Sequence, residues 1–206
     1  MTPCAWRAVS SNCCRARPQY GVGGKLVILS GPSGVGKDTV IDKWRERNPL
    51  VRRVVAYTTR APRPGETPGV DYHYLDVEHF KRLASQGFFL EYKTVHDNFY
   101  GTPYKDMMAM LDQGLVAILK IDVQGAEEAM RRCPDALSVF LLPPSDEELE
   151  RRIRGRGSDA EDVIQRRLTN ARGEIARADR YAHRLVNNDV DQVIDALQRL
   201  VEGVDA

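Results

Sequence analysis

The chain has 206 residues, 42% hydrophobic and 29% charged, and its 30 basic and 29 acidic side chains leave a formal charge of +1. This length suits one α/β domain with a full core, and the balanced charge argues against a polyanion such as duplex DNA as a bulk electrostatic partner. No apolar run reaches the roughly 18 residues of a membrane-spanning helix, so neither nucleic acid nor membrane is an expected partner.

Residues 1–24 carry Arg7, Arg15 and Arg17 with several Ser and Cys, and no acid precedes Asp38. This composition predicts a disordered leader, or a start placed too far upstream, with an organelle-targeting segment as the alternative. The cysteines, Cys4, Cys13, Cys14 and Cys133, lack metal-ligand spacing and are expected to be reduced thiols.

Residues 25–29 are an apolar strand that runs into Gly31-Pro32-Ser33-Gly34-Val35-Gly36-Lys37, after which Val40, Ile41 and Trp44 carry a helical pattern to about residue 48. Glycines let successive backbone N–H groups curl around an anion, the helix N-terminus adds its positive dipole end, and a lysine at Lys37 reaches terminal phosphates. A nucleotide polyphosphate is the implied guest. Asp38 stands where the phosphate-loop pattern expects Ser or Thr beside magnesium.

Residues 51–57 read as the second strand, followed by a long polar loop, 58–74, stiffened by Pro62, Pro64 and Pro68. Arg60 and Arg63 on that loop can face one dianion, because guanidinium forks match phosphate oxygens. Asp76 caps a helix ending near residue 87, residues 88–95 alternate as a strand, 98–103 read as a turn, and 104–113 as a helix closed by Gly114. Residues 115–121 form a nearly continuous apolar run, the signature of a parallel strand buried on both faces, interrupted only by Lys120. A short helix over 125–132 and a buried strand over 137–142 follow. Ser145 and Glu148 make a capping box for a helix through Arg154, Gly155-Arg156-Gly157 is a hinge by composition, and Ser158 with Glu161 opens a helix to about residue 181. A strand over 184–187 and an amphipathic helix over 190–201 close the chain. Alternating strands and helices predict an α/β fold, a parallel sheet flanked by helices with the nucleotide at the carboxyl ends of the strands.

GPSGVGK, TTRAPRPGE with GVDYHY, Glu91, Tyr100-Gly101-Thr102, IDVQGA and VNND, in this order, resemble the guanylate kinase family from residue 25 to about 201. The resemblance implies a nucleoside monophosphate kinase fold over 25–206, with a small GMP-binding region at about 57–104 and a helical lid at about 150–172. It implies ATP-dependent phosphorylation of GMP, and of dGMP, with ATP as co-substrate and Mg2+. ATP binding falls to Gly31, Pro32, Ser33, Gly34, Val35, Gly36, Lys37, Asp38 and Thr39. GMP binding falls to Arg60, Arg63, Tyr72, Glu91, Tyr100, Thr102 and Asp122, with Glu91 reading guanine N1–H and N2 and Thr102 donating to O6. The catalytic cations are Lys37, Arg60 and the lid arginines Arg152, Arg156 and Arg167. A cytoplasmic monomer or homodimer is the corresponding expectation, organelle-targeted if the leader acts as a transit peptide.

Three positions depart from the family pattern: Ala56 in place of a serine near guanine, Asp38 in place of the hydroxyl, and Lys120 in place of an acid. The last two read as linked, with Asp38 supplying an anionic oxygen to Mg2+ and Lys120 pairing with Asp38 or with phosphate. Two other readings stay open: a ribose bisphosphate phosphokinase of the same fold, and a non-catalytic guanylate-kinase-like binding module.

Overall fold

The computed structural model describes residues 23–95, 97–155 and 160–204. Arg156, the hinge residue Gly157 and the capping Ser158 lie outside the described residues, as do residues 1–22 of the expected leader. The strand-loop-helix unit forms as the sequence predicts, with β1 at Lys25–Ser30 and α1 at Lys37–Arg47. The β-branched run 51–57, expected as one strand, divides instead into β2 (Val51–Arg53) and β3 (Tyr57–Thr58), which belong to different sheets. Between them the Val54 N–H donates to the Ile118 carbonyl (2.9 Å), while the Ala56 carbonyl accepts from His73 N–H (2.9 Å).

The elements that follow are β4 (His73–Tyr74), α2 (Val77–Ser85), β5 (Phe89–Val95), β6 (Asn98–Pro103), α3 (Tyr104–Asp112), β7 (Val116–Lys120), α4 (Val123–Arg132) and β8 (Leu137–Leu142). The last are α5 (Asp146–Arg154), α6 (Glu161–Ile175), a 3-10 turn (Ala178–Arg180), β9 (His183–Val186) and α7 (Val190–Glu202). Residues 98–103, expected to be a turn, are a strand paired antiparallel with β5, and the helix expected to reach residue 181 stops at Ile175. Asp76 caps α2 through the His79 N–H and Ser145 caps α5 through the Glu148 N–H, as predicted.

Five strands form one sheet in the order β2-β7-β1-β8-β9, and every neighbouring pair is parallel. Because strand side chains alternate faces, β1 sends Val27 and Leu29 into one core layer with Trp44 and Leu197 of α1 and α7. It sends Leu26 and Ile28 into the other, with Met107 of α3 and Val123 of α4. A separate small core of Leu149, Ile153, Ile164, Leu168 and Ala171 holds α5 to α6. The second sheet, β4-β3-β6-β5, is built largely from residues 57–103. No helix among the described residues is long and apolar enough to cross a membrane.

Candidate active site

The turn after β1 is a nest shaped by three glycines at positive φ: Gly31 (145°), Gly34 (90°) and Gly36 (100°). Their hydrogens are also a packing requirement, since a Cβ on Gly31 would come within 2.5 Å of the Leu141 carbonyl and one on Gly36 within 2.7 Å of Asn187 Nδ2. Lys37 Nζ folds back over the turn and donates to the carbonyls of Gly31 (2.5 Å) and Pro32 (3.1 Å). The Val35 carbonyl accepts from Asn187 Nδ2 (2.7 Å) and from Arg152 Nη1 (3.1 Å), while Arg152 Nη2 reaches the Asn187 carbonyl (3.2 Å). From α6, Arg167 Nη2 donates to Ser33 Oγ (2.9 Å). Arg152 and Arg167, two of the arginines expected in the lid, therefore both touch the phosphate loop.

Asp38, the first residue past Lys37, does pair with Lys120. Nζ sits 2.5 Å from Oδ1, and Arg53 Nη1 lies 3.5 Å from the same oxygen. Lys120 and Arg53 are 15% and 10% exposed at their side chains, whereas Asp38 is 58% exposed. Burial opposes the Asp38 charge, yet Lys120 and Arg53 hold its carboxyl below the usual carboxylate range. Arg53 Nη2 also donates to the Asp71 carbonyl (2.8 Å). The Tyr72 ring stands among three cations, with Arg60 at 5.5 Å and Arg53 and Lys120 each at 5.8 Å from its centroid. Tyr100 is beside it, ring to ring at 6.0 Å.

Arg60 is held by a bidentate fork to Glu66, Nη2 to Oε1 at 2.8 Å and Nη1 to Oε2 at 3.0 Å. Glu66 Oε2 also accepts from the Arg63 N–H and the Tyr74 phenol, both at 2.8 Å. Burial works against the Glu66 charge, but these donors bring its carboxyl down to about 2. The Arg63 side chain itself is exposed. Glu91 is buried at 5% exposure and accepts from Thr102 Oγ1 (2.6 Å), its cross-strand partner in the β5–β6 hairpin. Asp122 caps α4, with Oδ1 accepting from the Gln124 and Gly125 N–H groups (both 3.0 Å), and it pairs with Lys93.

Comparison with known proteins decides the lineage. A sequence model described as guanylate kinase matches residues 23–204. A guanylate kinase of Aromatoleum aromaticum is 46% identical over 180 residues, 87% of this chain and 88% of that protein, and one of Trichormus variabilis is 42% identical over 92% and 96%. The crystal structure of guanylate kinase from Anaplasma phagocytophilum superposes with a TM-score of 0.71 at 36% identity, covering 88% of this chain and 86% of that one. The chain belongs to the guanylate kinase family.

Two groupings expected from sequence come together in space: the phosphate loop with Arg152 and Arg167, and Arg60 with Tyr72 and Tyr100. Sequence reading gave no role to Glu66, Arg53, Lys93 or Asn187. Glu66 and Asn187 were visible inside TTRAPRPGE and VNND, where a carboxylate six residues after Arg60 and an amide at a strand end are the available signals. Arg53 and Lys93 had none, because a cation in a strand ordinarily takes a solvated position.

Proposed function

We infer that the protein transfers the γ-phosphoryl group of ATP to the phosphate of GMP, giving ADP and GDP, and that dGMP serves as an alternative acceptor. The observation that carries this reading is the buried Glu91–Thr102 pair on the hairpin. Guanine presents N1–H and the N2 amine side by side to a carboxylate, and as they take Glu91 the Thr102 hydroxyl is released to donate to O6. Adenine would set its N1 lone pair against Glu91, a mismatch of the kind that discriminates by roughly 10⁴-fold.

Arg60, oriented by Glu66, together with Arg63, Tyr72 and Tyr100, is the proposed grip on the GMP phosphate, which attacks as an existing anion and needs no general base. Gly31 to Thr39 cradle the ATP phosphates, with Lys37 exchanging the Gly31 and Pro32 carbonyls for phosphate oxygens. Arg152, Arg156 and Arg167 place positive charge where the equatorial oxygens of the transferring group gather it. The lid they belong to also excludes water. Mg2+ enters this reading with ATP and supplies neutralisation of the phosphate charge. Asp38, half-exposed and paired with Lys120 and Arg53, is the carboxylate that would meet the metal or its waters.

The test supplies purified protein with ATP and, in turn, GMP, dGMP, AMP and ribose 1,5-bisphosphate. Turnover of the two guanine nucleotides, abolished in a folded Lys37→Met variant, is expected. Turnover of the sugar bisphosphate alone would overturn the reading, and a protein that binds no ATP would return it to the class of non-catalytic modules.

A further inference from the structure

Lys93 is two residues beyond Glu91 on β5, and strand alternation turns both side chains to the same face. Glu91 is buried, Tyr92 between them is exposed, and the Lys93 side chain is only 15% exposed. Burying an ammonium is costly unless it is paired, and here the pairing is with Asp122, at the cap of the helix packed on β5. The N-terminal turn of α4 comes so close to Glu91 that a Cβ on Gly125 would be 2.8 Å from Oε2. Glu91, Lys93, Asp122 and the start of α4 thus form one cluster behind the proposed guanine site, while Lys120, Arg53 and Asp38 form another around Tyr72.

We propose that Lys93 is a positioning residue for guanine recognition: clasped by Asp122 and facing the same way as Glu91, its ammonium keeps the Glu91 carboxylate ionised in a buried site, so that both oxygens accept from guanine. The inference rests on the guanylate kinase reading and deepens its base specificity. A protonated Glu91 would offer one donor and one acceptor. Its O–H collides with guanine N1–H, whereas the N1 lone pair of adenine can accept that proton.

The charges that face Glu91 are few. Burial pushes its carboxyl up; the Thr102 hydroxyl on β6 and Lys93 on β5 pull it back, Glu128 of α4 pushes it further up, and Arg132 of α4 opposes that. Lys93 in turn is brought down to about 8 by burial, against the charges of Glu91 and of Glu174 on α6. Lys93 therefore carries its charge at neutral pH and loses it in mild alkali, where a carboxylate needs no help to ionise. The sign follows: a raised carboxyl loses its charge as pH falls, and without Lys93 that loss begins at higher pH.

Isothermal titration calorimetry of the full chain with GMP alone, from pH 5.5 to 9, tests this in the wild type, Lys93→Met and Lys93→Arg. At pH 6, Lys93→Met is expected to bind GMP at least about tenfold more weakly than wild type, the equivalent of one pH unit of proton competition, with its preference over AMP reduced. At pH 9 the two should agree within about twofold, and Lys93→Arg should follow the wild type at acid pH. Equal weakening of Lys93→Met at every pH, or a profile superimposable on wild type, would overturn the proposal. If circular dichroism shows Lys93→Met unfolded, Lys93→Gln carries the same comparison. Wild-type protein that binds no GMP at any pH would instead defeat the guanylate kinase reading beneath it.

Discussion

Glu66→Gln isolates the fork that orients Arg60. Four donors converge on the Glu66 carboxylate, two from the Arg60 guanidinium and one each from the Arg63 N–H and Tyr74 phenol. Glutamine keeps the shape but brings one acceptor and an amide that must point two hydrogens at existing donors, so at least one Arg60 bond is lost together with the charge. Hydrogen bonds to charged groups are worth about 1.5–3 kcal/mol when buried, and both partners here remain partly solvated, which reduces the expected loss of stability to about 1–2 kcal/mol. If the fork holds Arg60 ready for phosphate, the same loss raises the GMP KM about tenfold while kcat changes by less than about threefold. Urea denaturation and steady-state kinetics measure the two. The titration sign is fixed: the Glu66 carboxyl is depressed from 4.5 to about 2, so its contribution is complete above pH 4.5 and drains away as pH falls towards 2. Wild-type stability should fall across that window more steeply than that of Glu66→Gln. A GMP KM that drops on substitution would refute the reasoning, because it would mean that Glu66 competes with the phosphate for Arg60.

Asp38→Ser strands Lys120 and Arg53 beside each other without their shared carboxylate, and a double-mutant cycle with Lys120→Asp should show coupling of about 1 kcal/mol in stability and partial rescue of magnesium-dependent activity; additive losses with no rescue would sink the link. Gly125→Ala places a methyl 2.8 Å from Glu91 Oε2, so GMP affinity by calorimetry should fall about tenfold or more while the melting temperature holds, alanine being the better helix former. An unchanged affinity would show that the Glu91 seat is looser than drawn. Asn187→Ala removes the buried amide that bonds the Val35 carbonyl, which should cost about 1–3 kcal/mol of stability and raise the ATP KM more than the GMP KM; equal rises would place its effect outside the phosphate loop.

The sequence was most legible where a local rule and the tertiary setting agree. The phosphate loop is one, because positive φ at Gly31, Gly34 and Gly36 demands glycine whatever surrounds it. Strand β8 is another, an apolar run buried on both faces whose bounds match the expectation. Legibility failed where partners are far apart in the chain. Val51 to Tyr57 reads as one β-branched run, and nothing local says that Val54 bonds to β7 while Ala56 bonds beside β4. Residues 98–103 carry Gly101 and Asn98 and so read as a turn, yet opposite β5 they complete a hairpin in which Thr102 meets Glu91. Arg60 announced a phosphate site, but its bidentate fork to Glu66 is set by the fold.

The place where the chain crosses from the five-stranded sheet to the four-stranded one bears on the order in which a product would leave. The β3 and β4 strands are two residues each, whereas β5 is seven residues long and is pressed onto α4. Regions with few backbone bonds open at lower free energy than core strands, so amides around Tyr57, Thr58 and His73 should exchange with solvent well before those of Leu90 and Glu91. On the proposed reading, with Arg60 at the phosphate and Glu91 at the base, the Arg60 loop opens while the hairpin stays shut, and a nucleotide detaches from its charged end first.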